Sequence, residues 1–162
     1  GWDDISLLYK ALVRPHIEYC HSVTFPHYKA DIILVESVQR RATKQISRLK
    51  NKTYEERLRL LALPSMAYRF KRGDMIELYK ITHGMYHTHI SSVQIADPTG
   101  TRGHPYKLVK SRFCSSLRQK TFPFRCIDQW NRLPASVVEA CSLNVFKNRL
   151  DSHWAELVYS VE

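Results

Sequence analysis

Glycine is scarce in this chain, with five in 162 residues, and none sits in a phosphate-cradling arrangement. Cys20, Cys114, Cys126 and Cys141 form no C-x-x-C pair, and four cysteines in a chain of this length do not make a disulfide framework. Reduced thiols are expected. No apolar run approaches the ~20 residues that cross a bilayer, and Gly-Trp-Asp-Asp is unlike a signal peptide. H-E-x-x-H, G-x-S-x-G and Walker patterns are also missing. Adjacent acids occur only as Asp3-Asp4 and Glu55-Glu56, without the strand context of a two-metal centre. The expectation is a non-catalytic, intracellular (nuclear and cytoplasmic) segment with no cofactor, no small-molecule substrate and no membrane partner. The lack of an initiator Met and the abrupt helical start suit a piece of a longer protein.

What is present is a foldable helical pattern. Hydrophobic residues make up 44% of the chain and aromatics 11%, too rich for a disordered tail. Ile5, Leu8, Leu12 and Tyr19 share one side of a helical wheel, with Pro15 kinking that helix or opening a second. Asp31 is placed to cap a helix striped by Ile32, Val35, Val38, Ala42, Ile46 and Leu49. Thr53 and Glu56 have capping-box spacing, and Ser65 is placed to cap a long helix that stops at Gly84. Residues 85–105 read as a linking loop, and Tyr106–Phe113 as a short strand or hairpin arm. A helix is expected from Thr121-Phe122-Pro123 to Leu133-Pro134. Another follows Ser142, striped by Leu143, Phe146, Leu150, Trp154 and Leu157. The fold class is mostly α, with a helical bundle over 1–84 and a second, basic helical lobe over 106–162.

Charge is the second signal. Lys and Arg number 25 against 15 acids, a formal net charge of +10. No acid occurs between Ser37 and Tyr54, where Arg40, Arg41, Lys44, Arg48, Lys50 and Lys52 fall. On a continuous helix Arg40, Lys44 and Arg48 form a row at about 6 Å intervals, opposite the Val38/Ala42/Ile46 stripe. A second acid-free stretch, Pro98–Ile127, carries Arg102, Lys107, Lys110, Arg112, Arg118, Lys120 and Arg125 among Tyr106, Phe113, Phe122 and Phe124. Phe122 and Phe124 read as core. Cations interleaved with rings suit single-stranded or irregular nucleic acid, and nucleic acid is the leading partner. His16/Cys20 and His83/His87 have helical spacing, but no knuckle anchors a zinc site.

Several separated motifs then carry a resemblance. LLYKALVRPHIEYC, LVESVQRRATKQI, TYEERLRLLALPSMAYRFKRGDMIELYKITHG, TRGH and FRCIDQWNRLPASVVEACSLNVFKNRLDSHW resemble the C-terminal region of reverse transcriptases from non-LTR (LINE-type) retrotransposons of the jockey and chicken-repeat group. The resemblance covers essentially the whole chain, in the family's order. It implies a thumb over roughly residues 4–84 and a C-terminal extension, without the aromatic-x-Asp-Asp palm motif or the CCHC knuckle of other clades. A thumb grips template–primer duplex through phosphates. The resemblance therefore places Arg40, Arg41, Lys44 and Arg48 on the duplex, and Arg102, Lys107, Lys110, Arg112 and Arg118 on template RNA or target DNA. The rest of the polymerase polypeptide would be a partner. The alternative is a helical protein-interaction module, host-retained from a retroelement, with a Trp130/Trp154 surface packing on another chain.

Overall fold

A computed structural model describes residues 2–24, 28–86, 93–97, 103–110 and 115–161. The described residues are mostly helical. The chain divides into two compact units, residues 1–70 with 156–162 and residues 71–155. Neither boundary coincides with the lobes expected at 84 and 106.

The first unit opens with α1 (Trp2–Leu8), a π-helical turn (Tyr9–Val13) and α2 (Arg14–Glu18). Pro15 sits in the first turn of α2, where its missing N–H costs little, and the wide turn precedes it. Of the expected stripe Ile5 packs on the core, but Leu8, Leu12 and Tyr19 are exposed, while Tyr9 is buried. After α3 (His21–Thr24) comes α4 (Lys29–Lys44). Asp31 does not cap it; Tyr28 takes that position and Asp31 lies in the first turn, where a carboxylate suits the positive end of the helix.

The buried face of α4 is polar, formed by Glu36, Gln39 and Thr43, with Val35, Val38 and Ala42 half-buried beside it. The expected five-turn stripe breaks at Gln45. Ile46 is extended, and Ser47–Leu49 is a 3₁₀ turn that delivers Ile46 and Leu49 to the core. There they pack with Leu58, Leu61 and Leu63 of α5 (Tyr54–Leu60) and the turn after it, joined by Ile5, Tyr54, Tyr159 and Val161. The Thr53/Glu56 capping box forms as expected. The C-terminal segment is tied in by Ser65 N–H donating to the Val158 carbonyl, 2.9 Å.

Helix α6 (Met66–Thr82) gives Met66–Phe70 to the first unit and the remainder to the second. Ser65 Oγ accepts from Tyr68 N–H, so the expected cap is present. At the other end Gly84 adopts φ +64°, and Met85 N–H reaches back to the Lys80 carbonyl at 2.9 Å, a Schellman closure that glycine tolerates best.

In the second unit Ile95 and Leu108 form an antiparallel bridge, the described remnant of the expected hairpin arm. The amide of Asn131 clamps Leu108, accepting its N–H and donating to its carbonyl at 2.9 Å each. A short α7 (Ser116–Lys120) precedes Thr121, and the single helix expected from Thr121 is instead a 3₁₀ turn (Phe124–Cys126) followed by α8 (Ile127–Asn131). Then follow α9 (Ala135–Val138), α10 (Leu143–His153) and a 3₁₀ turn (Ala155–Leu157). Ser142 caps α10 by accepting from Val145 N–H. Phe146, Leu150 and Trp154 are buried, but Leu157 is exposed and belongs to the first unit's segment.

The motif Trp130-Asn131-Arg132-Leu133-Pro134 is architectural. Trp130 is fully buried and donates Nε1–H to the Tyr106 carbonyl, Leu133 is buried, and Pro134 begins α9. The Trp130/Trp154 surface considered for a protein partner does not exist, because both rings are inside. Asp74 holds Arg125 through two hydrogen bonds of 2.8 and 3.0 Å, with only 4% and 11% of the two side chains exposed. Cys126 Sγ–H also donates to Asp74. Burial and that carboxylate push the Cys126 thiol far up, so it stays protonated. Among the described residues no group of three His, Cys, Asp or Glu side chains could hold a metal ion.

Candidate nucleic-acid interface

The rotational setting of α4 decides which cations face water, and hydrogen bonds set it. Glu36 Oε2 accepts from Met66 N–H (2.9 Å) and Ala67 N–H (3.4 Å), at the positive end of α6. Tyr54 donates its hydroxyl to Glu36 Oε1. Gln39 donates to the Pro64 carbonyl (3.0 Å) and to Tyr54 Oη (3.3 Å), and accepts from Tyr9 (2.9 Å). Burial first, and then Glu36, drive the Tyr9 and Tyr54 hydroxyls far above their ordinary value, so both remain donors. This network fixes the helix more tightly than a greasy stripe would, because each misplaced polar group would be left buried without a partner.

With Glu36, Gln39 and Thr43 inward, Arg40, Arg41 and Lys44 point out, and all three are exposed. At 100° per residue Arg40 lies roughly 70° from the buried direction, Lys44 roughly 110°, and Arg41 about 170°. Arg41 is thus the residue opposite the core, and Arg40 and Lys44 flank it. Arg48 leaves the helix altogether, exposed in the following 3₁₀ turn. Lys50 and Lys52 continue the exposed run.

The Thr53 hydrogen bonds, and then Lys52, hold the Glu56 carboxyl below its ordinary value, so Lys52 has an acid nearby. Arg40, Arg41, Lys44, Arg48 and Lys50 have none at ion-pair distance among the described residues. Arg41 donates only to Ser37 Oγ, 3.2 Å. The Arg40 guanidinium lies 4.9 Å from the centre of the Tyr54 ring, and that of buried Arg57 lies 5.5 Å from it. One tyrosine thereby holds two cations without neutralising either.

The second basic set is arranged differently, in the other unit. Arg102 and Arg112 lie outside the described residues. Lys107 is half-buried, its chain packed where a side chain on Gly103 would go. Lys110 pairs with Asp128 at 2.6 Å. Arg118, exposed on α7, has its guanidinium 5.8 Å from the Phe124 ring centre, and Arg125 covers Phe122 at 5.6 Å. Phe122 and Phe124, expected as core, are half-buried beneath these guanidinium groups. The structure places the first set on one helix and its following turns.

Sequence reasoning missed Glu36, Gln39, Tyr54 and Arg57. Their spacing held a signal, since Glu36, Gln39 and Thr43 follow steps of three and four, but apolar weighting favoured the neighbouring face. What this interface offers chemically is positive charge on an exposed face. Neither family models, curated proteins nor solved structures give a match to this chain.

Proposed function

We propose that this chain is a nucleic-acid-binding accessory region of an RNA-directed DNA polymerase, gripping template–primer duplex, template RNA or target DNA through phosphates. The observation that carries the reading is the run of exposed, acid-free cations on the second half of α4 and the turns after it. Phosphate neutralisation releases condensed counterions, the dominant source of sequence-independent affinity. The order of the retroelement-like motifs supports the polymerase context. In that context the rest of the polypeptide supplies catalysis and this segment none, acting in the nucleus and cytoplasm.

A titration with RNA–DNA hybrid, duplex DNA and single strands at two salt concentrations tests the reading. Affinity should fall steeply as salt rises. Indifference to every nucleic acid would overturn it. The protein-interaction alternative would then gain, since Leu7, Leu8, Leu12, Val23, Ile33 and Leu34 of the first unit are exposed.

A further inference from the structure

The second unit contains a cavity of about 560 Å³, lined in part by Tyr79, His83, Tyr106, Glu139 and Ser142. That volume lies in the ~300–1,000 Å³ range of small-molecule sites. Tyr79, His83 and Tyr106 of this lining belong to a column of stacked rings that begins at buried Phe146. Phe146 and Tyr79 stand 4.4 Å apart, Tyr79 and His83 3.9 Å, and His83 and Tyr106 4.3 Å, with interplanar angles of 22°, 22° and 25°. Tyr79 and His83 each have a ring on both faces, and Tyr106 ends the column.

The end ring is held in place. Its own carbonyl accepts from Trp130 Nε1–H at 2.7 Å, and Tyr79 donates its hydroxyl to the Ala140 carbonyl at 2.6 Å. His83 Nδ1–H donates to the Tyr79 carbonyl at 3.0 Å, and burial lowers its pKa, so the column carries no charge at neutral pH. Although the whole chain is strongly basic, no Lys or Arg among the described residues lines this cavity. Among its described lining residues Glu139 alone bears a carboxylate, which has no hydrogen-bond or ion-pair partner among the described residues. A phosphate is therefore repelled here, and a flat, uncharged ring with donors on its edge is favoured.

We propose that this cavity is a nucleobase pocket selective for guanine. The base extends the stack on Tyr106, and its edge meets Glu139 and Ser142. Guanine alone among the four RNA bases has two adjacent donors, N1–H and the 2-amino group, that match the two oxygens of a carboxylate. Adenine and cytosine set one amine beside a ring acceptor, and uracil flanks its N–H with two carbonyls. Each would turn a lone pair toward the second carboxylate oxygen. Ser142 Oγ accepts from Val145 N–H at 3.3 Å, which leaves its hydroxyl proton for guanine O6.

The biological ligand, a guanine in a strand, rests on the nucleic-acid reading above; the pocket can be tested without it. Titration of the whole chain with uncharged guanosine, inosine, adenosine, cytidine and uridine, followed by NMR shifts, separates the two. Guanosine should bind best. Inosine, lacking the 2-amino donor, should bind about tenfold more weakly, the scale of a lost hydrogen bond to a charged group. Glu139→Gln should weaken guanosine about tenfold at an exposed position, with the melt unchanged. Tyr106→Leu should weaken every nucleoside by about tenfold, and Tyr106→Phe should restore binding. Equal affinity for all five nucleosides, guanosine binding indifferent to Glu139→Gln, or no binding at all would overturn the proposal. Salt-sensitive strand binding without nucleoside binding would defeat the pocket alone, and the reverse pattern would defeat the phosphate reading alone.

Discussion

Arg40, Arg41, Lys44 and Arg48 are exposed and their described side-chain neighbours are a serine and a tyrosine ring, whereas several cations in the second unit have acidic or aromatic neighbours. Both regions come from stretches of sequence without acid. The difference arises in three dimensions, because Asp74 and Asp128 come to Arg125 and Lys110 from outside the second stretch. No such acid comes to Arg40, Lys44 or Arg48 among the described residues. Acid depletion along the sequence is therefore a poor guide to which cations stay unpaired in the fold.

The sharpest break in that contrast is Asp74→Ala. It leaves Arg125 buried without its carboxylate and should cost about 3–5 kcal/mol, read as a lower urea midpoint. Replacing Arg125 by Met in the same chain should recover much of the loss. A single variant as stable as the parent would show that the pair is not the anchor described.

In the first unit the expected effect is on binding. Arg40→Ala/Lys44→Ala/Arg48→Ala should leave folding nearly intact and make the slope of log K against log salt shallower by about 0.9 per lost duplex contact. The total is about 2 to 3, similar for every duplex sequence because phosphates carry no base identity. An unaltered slope in a protein that still binds would remove these residues from the interface.

Acid should act on the second unit through His83 and His104, both of whose pKa values are lowered by burial. The unfolded chain takes up protons near the ordinary value of about 6.5 while the folded rings resist them. Stability is thus full above about pH 6.5 and falls as the pH drops toward the depressed folded values. Urea midpoints at about pH 7.5 and pH 5.5 should show the drop, and replacing both histidines by Gln should shrink it. An undiminished drop would assign it to other groups.

The smallest effect is expected where a second-unit pair is open to water. Lys110 and Asp128 are each about half exposed, so Asp128→Asn should change stability by no more than about 1 kcal/mol. A larger loss would mean that exposed and buried pairs in this unit do not differ as their burial implies.

Helix existence and several caps were legible in sequence because capping chemistry is local. Thr53/Glu56, Ser65, Ser142 and Gly84 act within a few residues of themselves. The faces were harder to read. Tyr9 and Gln39 turned inward through partners about thirty residues away, which no local pattern encodes. The cationic run was visible in composition, but its geometry was not, because the helix stops at Lys44 instead of continuing to Leu49. The ring column was invisible for the same reason: His83 and Tyr106 are distant in sequence and meet only in the fold.

The Asn131 clamp has a consequence for how the chain behaves in a crowded solution. Two extended segments in an otherwise helical protein form the smallest unit of β-structure, and such a unit usually offers an edge onto which a neighbouring molecule can add a strand. Here Gln94 and Ala96 take the Val109 N–H and the Lys107 carbonyl, while the Asn131 amide takes the Leu108 N–H and carbonyl. One side chain thus imitates a whole missing strand at this point. It satisfies the backbone as a partner molecule would, and so denies aggregation a template there.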